Sequence, residues 1–187
     1  MDTGIFRLEA QDLTLVLIDF QERLSAAMPA GVMQKALRNV DILLTVAEEL
    51  SIPVITTEQY PKGLGPTMPQ IQARLNGEAA IEKVVFSCCR VEGFMSALLA
   101  TGRKEVILCG QEAHVCVYQT ALDLLEQGFK VFVVADAVCS RTKENWRLSL
   151  DLMRQAGCVV GSTEIFAFQL VNEAGTERFK KVSRLVK

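Results

Sequence analysis

Three residues have the types that covalent acyl transfer needs: a nucleophile, a base and a cation. Cys116 follows the apolar run EVILCG (105–110) and lies at the start of QEAHVCVYQTALDLLEQGF, whose apolar spacing from Val115 through Val117, Ala121, Leu122 and Leu125 marks a helix. A thiol in a helix's first turn meets unsatisfied N–H groups and the positive end of the dipole, so the expectation is a lowered pKa and more thiolate. Asp19 closes the apolar run LTLVLID (13–19), where a carboxylate either caps a backbone turn or does chemistry. Lys83 interrupts AAIEKVVF (79–86), and a buried ammonium needs a carboxylate partner, for which Asp19 is a candidate. In a sheet of order 3-2-1-4-5-6 the strand of Lys83 stands two places from that of Asp19, so spacing alone does not join them. The other cysteines, Cys109, Cys139 and Cys158, read as packing residues, and the adjacent Cys88 and Cys89 lack the C-x-x-C geometry of a redox pair.

Strands must present these groups, and the sequence supplies six candidates. Runs rich in β-branched residues occupy 13–20, 53–57, 80–86, 105–110, 130–135 and 158–161. Between or after them, helical spacing occupies 32–50, 68–75, 93–100, 114–127, 143–156 and 162–171. The alternation predicts an α/β fold, a three-layer αβα sandwich around a Rossmann-like six-stranded parallel sheet. Near-continuous apolar strands fit a sheet covered by helices on both faces. The Gly/Pro-rich segment 60–69 follows the second strand and is expected to overhang the sheet's carboxyl edge, where ligands bind in such folds. The basic and apolar residues of 177–187 read as a solvated edge or an oligomer-docking tail.

The chain's 187 residues suit one domain, 1–187, with a core at about 13–171 and a tail at 172–187. With 20 basic against 22 acidic residues there is no field to attract nucleic acid or an anionic membrane, and a small-molecule substrate is expected. No run approaches the ~20 apolar residues of a membrane span, and the N-terminus lacks an export signal. The six cysteines have no disulfide-scaffold spacing, which points to reduced thiols and a cytoplasmic location. The single histidine, His114, leaves no multi-histidine metal site. No cofactor is expected. A dinucleotide site is disfavoured because DFQERL, not a glycine-rich turn, follows the first strand.

The motifs VLIDFQ (16–21), EKVVFSC (82–88) and GQEAHVCVYQTALDLLEQGFKVFVVADA (110–137) together resemble the isochorismatase-like cysteine hydrolases, which include nicotinamidases and N-carbamoylsarcosine amidases. The resemblance runs from about Leu13 to Val171. It implies Cys116 as nucleophile, Asp19 as general base and acid, and Lys83 as the cation that holds Asp19 and favours the thiolate. It also implies a cis peptide between Gln111 and Glu112, an oxyanion hole from the N–H groups of Glu112 and Cys116, and a homo-oligomer, a dimer or a tetramer. Phe20, Tyr60, Leu64 and His114 become candidates for the substrate pocket. His114 reads equally as a helix-start packing residue, and the side chain of Glu112 either enters the site or pairs with a cation such as Arg90. EAHVC, where the family's usual Ala-Thr-Asp precedes the cysteine, and EQYPKGLGPT (58–67) are similar to the isochorismatase domain-containing subgroup. The expected reaction is cleavage of a carbon–nitrogen bond. A vinyl-ether hydrolase in which Cys116 is dispensable and a catalytically idle oligomeric scaffold are the competing readings.

Overall fold

The computed structural model describes residues 3–75 and 77–187. The first strand, β1 (Leu13–Ile18), is buried along its whole length, as a run of large aliphatics must be. A short helix α1 (Glu22–Ala26) leads to α2 (Ala30–Leu50), a long helix that buries Met33, Ala36, Val40, Leu43 and Ala47 along one face and stops at Ser51 in left-handed backbone. Then come β2 (Val54–Gln59), the single turns α3 (Pro61–Leu64) and α4 (Pro69–Gln72), each with proline at its start, and the edge strand β3 (Ile81–Lys83). α5 (Glu92–Ala100), β4 (Glu105–Gln111), α6 (Tyr118–Glu126) and β5 (Lys130–Cys139) follow. The chain closes with α7 (Lys143–Ala156), β6 (Val159–Gly161), α8 (Thr163–Val171) and α9 (Glu177–Val186).

The strands form one parallel sheet of order β3-β2-β1-β4-β5-β6. Residues of α2, α8 and α9 pack on one face with Leu15, Leu17, Ile107 and Phe132, while α5, α6 and α7 cover the other with Val16, Ile18, Leu108 and Val133. Because β1 lies between β2 and β4, connections leave it in opposite directions and open a crevice beyond the carboxyl ends of these three strands. Asp19 and Gln111 stand at that crevice.

Four boundaries differ from the sequence expectation. The third strand ends at Lys83 because residues 84–86 turn away from the sheet, and the Phe86 carbonyl accepts a hydrogen bond from Lys83 Nζ at 3.1 Å. The fifth strand runs on to Cys139 after a register shift opposite Leu108 and Gly110. The helix carrying Cys116 opens with a π-turn, Ala113–Val117, before α6 begins. Residues 177–186 form a helix: Val182 and Val186 give α9 an apolar stripe that packs on α2, and Lys181 pairs with Glu49.

Gly110 is the tightest point of the crevice. Its φ is 145°, and a Cβ there would lie 2.4 Å from the Ile18 carbonyl oxygen and 2.9 Å from Ile18 Cα, both backbone atoms with nowhere to go. Gly110→Ala is expected to lower stability by about 3 kcal/mol, a large effect for one methyl group. Urea unfolding checks this, and a midpoint unchanged from wild type would contradict the packing described.

Candidate active site

Asp19 is the first residue beyond β1, and its backbone is left-handed, with φ 55°. That conformation costs a non-glycine residue roughly 1–2 kcal/mol. It is held from both sides: the Asp19 N–H donates to the Thr57 carbonyl at 3.1 Å, and Gln111 Nε2 donates to the Asp19 carbonyl at 2.9 Å. The turn directs the carboxylate back across the end of β2. There Thr57 Oγ1 donates to Oδ1 at 2.7 Å and Lys83 Nζ donates to Oδ2 at 2.7 Å.

Sheet register explains how Lys83 reaches Asp19 from two strands away. Thr57 sits opposite Ile18, and Gln59, two residues further on, sits opposite Lys83. Neighbouring strands are ~4.8 Å apart, so the flexible four-carbon stem of lysine has to cross only the end of β2. Both charged side chains are fully buried. The ammonium's remaining protons go to Gln59 Oε1 at 2.7 Å and the Phe86 carbonyl, so all three donors are used. Burial pushes the Asp19 carboxyl above the usual carboxylate range, against the opposing pull of Lys83 and the hydrogen bonds from Lys83 and Thr57. Burial works against the Lys83 charge, but Asp19 and the nearby Cys88 and Cys116 outweigh it and raise its pKa.

Cys116 completes the cluster from the third side. The π-turn places its Sγ 4.0 Å from Gln59 Oε1, near enough to the Asp19 carboxylate for each group to shift the pKa of the other. Only 4% of the residue is exposed. The expected lowering of the thiol pKa is overturned: burial and the negative charge of Asp19 push it up, and Lys83 only partly compensates. The resting group is a protonated thiol beside a carboxylate of raised proton affinity.

The remaining expected site residues separate. The Gln111–Glu112 peptide is cis. The Glu112 carboxylate accepts from the backbone N–H and Nε of Arg141 at 3.0 and 3.1 Å, so its partner cation is Arg141; Arg90 pairs with Asp123 instead. His114 lies half-buried against the start of α7, with Nδ1 3.0 Å from Ser140 Oγ and Nε2 3.4 Å from Asn145 Nδ2, in the turn that carries Cys116. Phe20 is fully buried in the α2-side core. Tyr60 is exposed and, with Pro61, Lys62, Glu82 and Val84, lines a hollow of about 350 Å³ that reaches Lys83; Leu64 is half-buried and is not part of that lining. Cys88 is fully buried beside the site, with Sγ 3.8 Å from Thr57 Oγ1, and burial raises its thiol to about 11. Among the described residues no group of three His, Cys, Asp or Glu side chains could hold a metal ion.

Gln59, Thr57 and Gln21 were missed from the sequence. Thr57 and Gln59 alternate along TTEQ at the end of a buried strand, so both fall on one face, and that periodicity was the available signal. Gln21 clamps Gln59 by both ends of its amide: Oε1 accepts from the Gln59 N–H at 2.8 Å, and Nε2 donates to the Gln59 carbonyl at 3.0 Å. The same Nε2 donates to the Gly65 carbonyl at 2.6 Å, tying the loop that follows β2 to the site.

Known proteins share this arrangement of chain. The family model described as the isochorismatase domain matches residues 14–165. Isochorismatase domain-containing protein 2 of Danio rerio is 40% identical over 184 residues, spanning 98% of this chain and 91% of that protein. The structure of MAR1 ribonuclease from Caenorhabditis elegans superposes with a TM-score of 0.87 at 36% identity, over 96% of this chain and 92% of that one. The YcaC gene product of Escherichia coli, described as an octameric hydrolase of unknown specificity, gives a TM-score of 0.83 at 30% identity, over 89% of this chain and 83% of that one. The match of fold, length and sequence over almost the whole chain makes this protein a member of the isochorismatase family of hydrolases.

Proposed function

We propose that the protein hydrolyses a carbon–nitrogen bond of a small amide-type molecule through a thioester on Cys116. The observation that carries this reading is a buried Asp19–Lys83 pair whose charges act on a buried thiol beside it. Asp19 takes the thiol proton as sulfur attacks the substrate carbonyl, and the N–H groups of Glu112 and Cys116 receive the oxyanion. The carbon–nitrogen bond then breaks, and the amine or ammonia leaves with the proton from Asp19. Water attacks the thioester, giving its proton to Asp19, and the acid departs as the thiol is restored. Lys83 opposes the burial that pushes the Asp19 carboxyl toward its neutral form. The raised carboxyl pKa makes Asp19 a stronger base than a free aspartate.

The ribonuclease name of the C. elegans neighbour describes a different class of substrate. A phosphodiester would need neutralising cations, whereas this chain is balanced at a net charge of −2 and offers a carboxylate at the reacting centre. The octameric E. coli neighbour and the exposed apolar run Val84–Phe86 support a homo-oligomer for this chain too, of dimer or tetramer size or larger. The six free cysteines fit a reducing, cytoplasmic setting. No helix among the described residues is long and apolar enough to cross a membrane.

The reading is tested by screening primary amides and ureido acids for release of ammonia. Cys116→Ala is expected to lower turnover by roughly 10³-fold or more. Retention of activity in that variant, or hydrolysis of a vinyl ether with no amide turned over, would contradict it. The resting thiol supplies a sharper test through alkylation by iodoacetamide. Since its pKa is raised, Cys116 is protonated at pH 7, and its rate should rise with pH beyond the ~8.5 of a free cysteine. Asp19→Asn removes the base that takes the thiol proton, so hydrolysis is expected to fall by about 10²–10⁴. Lys83→Met removes the compensating charge and should slow alkylation. Hydrolysis unchanged in Asp19→Asn would mean that the carboxylate is not the base.

A further inference from the structure

A second cavity, of about 330 Å³, lies between the start of α2, the end of β5 and the start of α7. None of Asp19, Lys83 and Cys116 lines it. Its walls are chiefly apolar: Pro29 and Val32 from the α2 side, Ala135 and Val138 from β5, and Trp146 from α7. The indole is fixed, because Trp146 Nε1 donates to the Ala135 carbonyl at 3.0 Å, so the ring face is a standing wall and not a mobile lid. A preformed apolar hollow of this size is the kind of place in which a hydrocarbon body leaves water favourably.

The charged groups around it are two ammonium groups and one carboxylate. Lys35 of α2 and Lys143 of α7 border the cavity from opposite elements, and neither forms an ion pair among the described residues. The one acidic residue in the lining, Asp136, keeps its charge but holds the start of α8, where its Oδ1 accepts from the N–H and the hydroxyl of Thr163, each at 2.8 Å; the two ammonium groups outnumber it. Ser140 is taken up by His114 at 3.0 Å. The chain carries a net −2 charge, so attraction of an anion here is local and comes from the two ammonium groups. An uncharged apolar ligand would leave both lysines unused, and a cation would meet them as like charges.

We propose that this cavity is a binding site for a small carboxylate with a compact hydrocarbon body, the body against Trp146, Val32 and Val138 and the carboxylate between Lys35 and Lys143. The site is separate from the hydrolytic one and does not depend on the reaction assigned above.

Trp146 is the only tryptophan in the chain, which makes it a reporter for this cavity and no other. The protein is labelled with 5-fluorotryptophan and titrated with cyclohexanecarboxylate, followed by fluorine NMR. The neutral isostere cyclohexanecarboxamide is titrated in parallel. A saturable shift of the single resonance is expected for the carboxylate, with affinity about fivefold or more weaker for the carboxamide, and weaker to a similar degree for carboxylate in the Lys35→Met/Lys143→Met variant. Val32→Glu, at an exposed rim position, should weaken the carboxylate more than the carboxamide, since both lose an apolar contact and only the carboxylate meets a like charge. No saturable shift up to about 20 mM, or equal affinities for the two probes in wild type, would overturn the proposal. So would a resonance that moves with protein concentration and not with ligand, since a second copy of the chain would then occupy the cavity.

Discussion

The buried pair of Asp19 and Lys83 constrains everything around it. Two charges with no exposed side-chain surface can persist only if each keeps its partner and its hydrogen bonds, and losing one partner of such a pair costs about 3–5 kcal/mol. Thr57 supplies the second bond to the carboxylate, and Gln59 with the Phe86 carbonyl supplies the rest of the ammonium's shell. These contacts in turn fix the β1–β2–β3 register, the left-handed turn at Asp19 and the early end of β3. A buried ion pair is a weak source of stability. Its survival at the crevice of a doubly wound sheet is therefore better explained by chemistry than by folding.

The same burial governs the thiol. A helix start alone would favour the thiolate, but Asp19 and the loss of water outweigh the dipole and Lys83, and the resting sulfur keeps its proton. In the proposed mechanism, deprotonation is coupled to attack, with a base already in contact. A protonated, nearly inaccessible sulfur is also slow to oxidise, which suits a nucleophile that waits for a substrate.

Much of this was legible in the sequence. The six strands, their order and the two helical layers follow from apolar runs alternating with helical spacing, and Asp19, Lys83 and Cys116 stood out as polar groups set into such runs. What was not legible depended on the third dimension. That Lys83 crosses β2 rests on a register that no spacing encodes, and the direction of the Cys116 pKa rests on how much water the fold removes. Glu112 was open to two readings, in the site or beside a cation such as Arg90, and its carboxylate pairs with Arg141 from the loop after β5, which follows the extension of that strand to Cys139. Phe20, next to Asp19 in sequence, faces the opposite way because the backbone turns between them. The last helix was hidden by its charges: an amphipathic stripe of few apolar residues reads as solvated until α2 is there to receive it.

The central claim is that sulfur bonds covalently to substrate carbon, and rapid-quench mass spectrometry of the protein during turnover of an amide tests it most directly. The account predicts a transient mass increase equal to the acyl group, mapped to the peptide containing Cys116 and absent once substrate is exhausted. Full turnover with Cys116 never acylated would show that water attacks directly, and would remove the thiol from the mechanism.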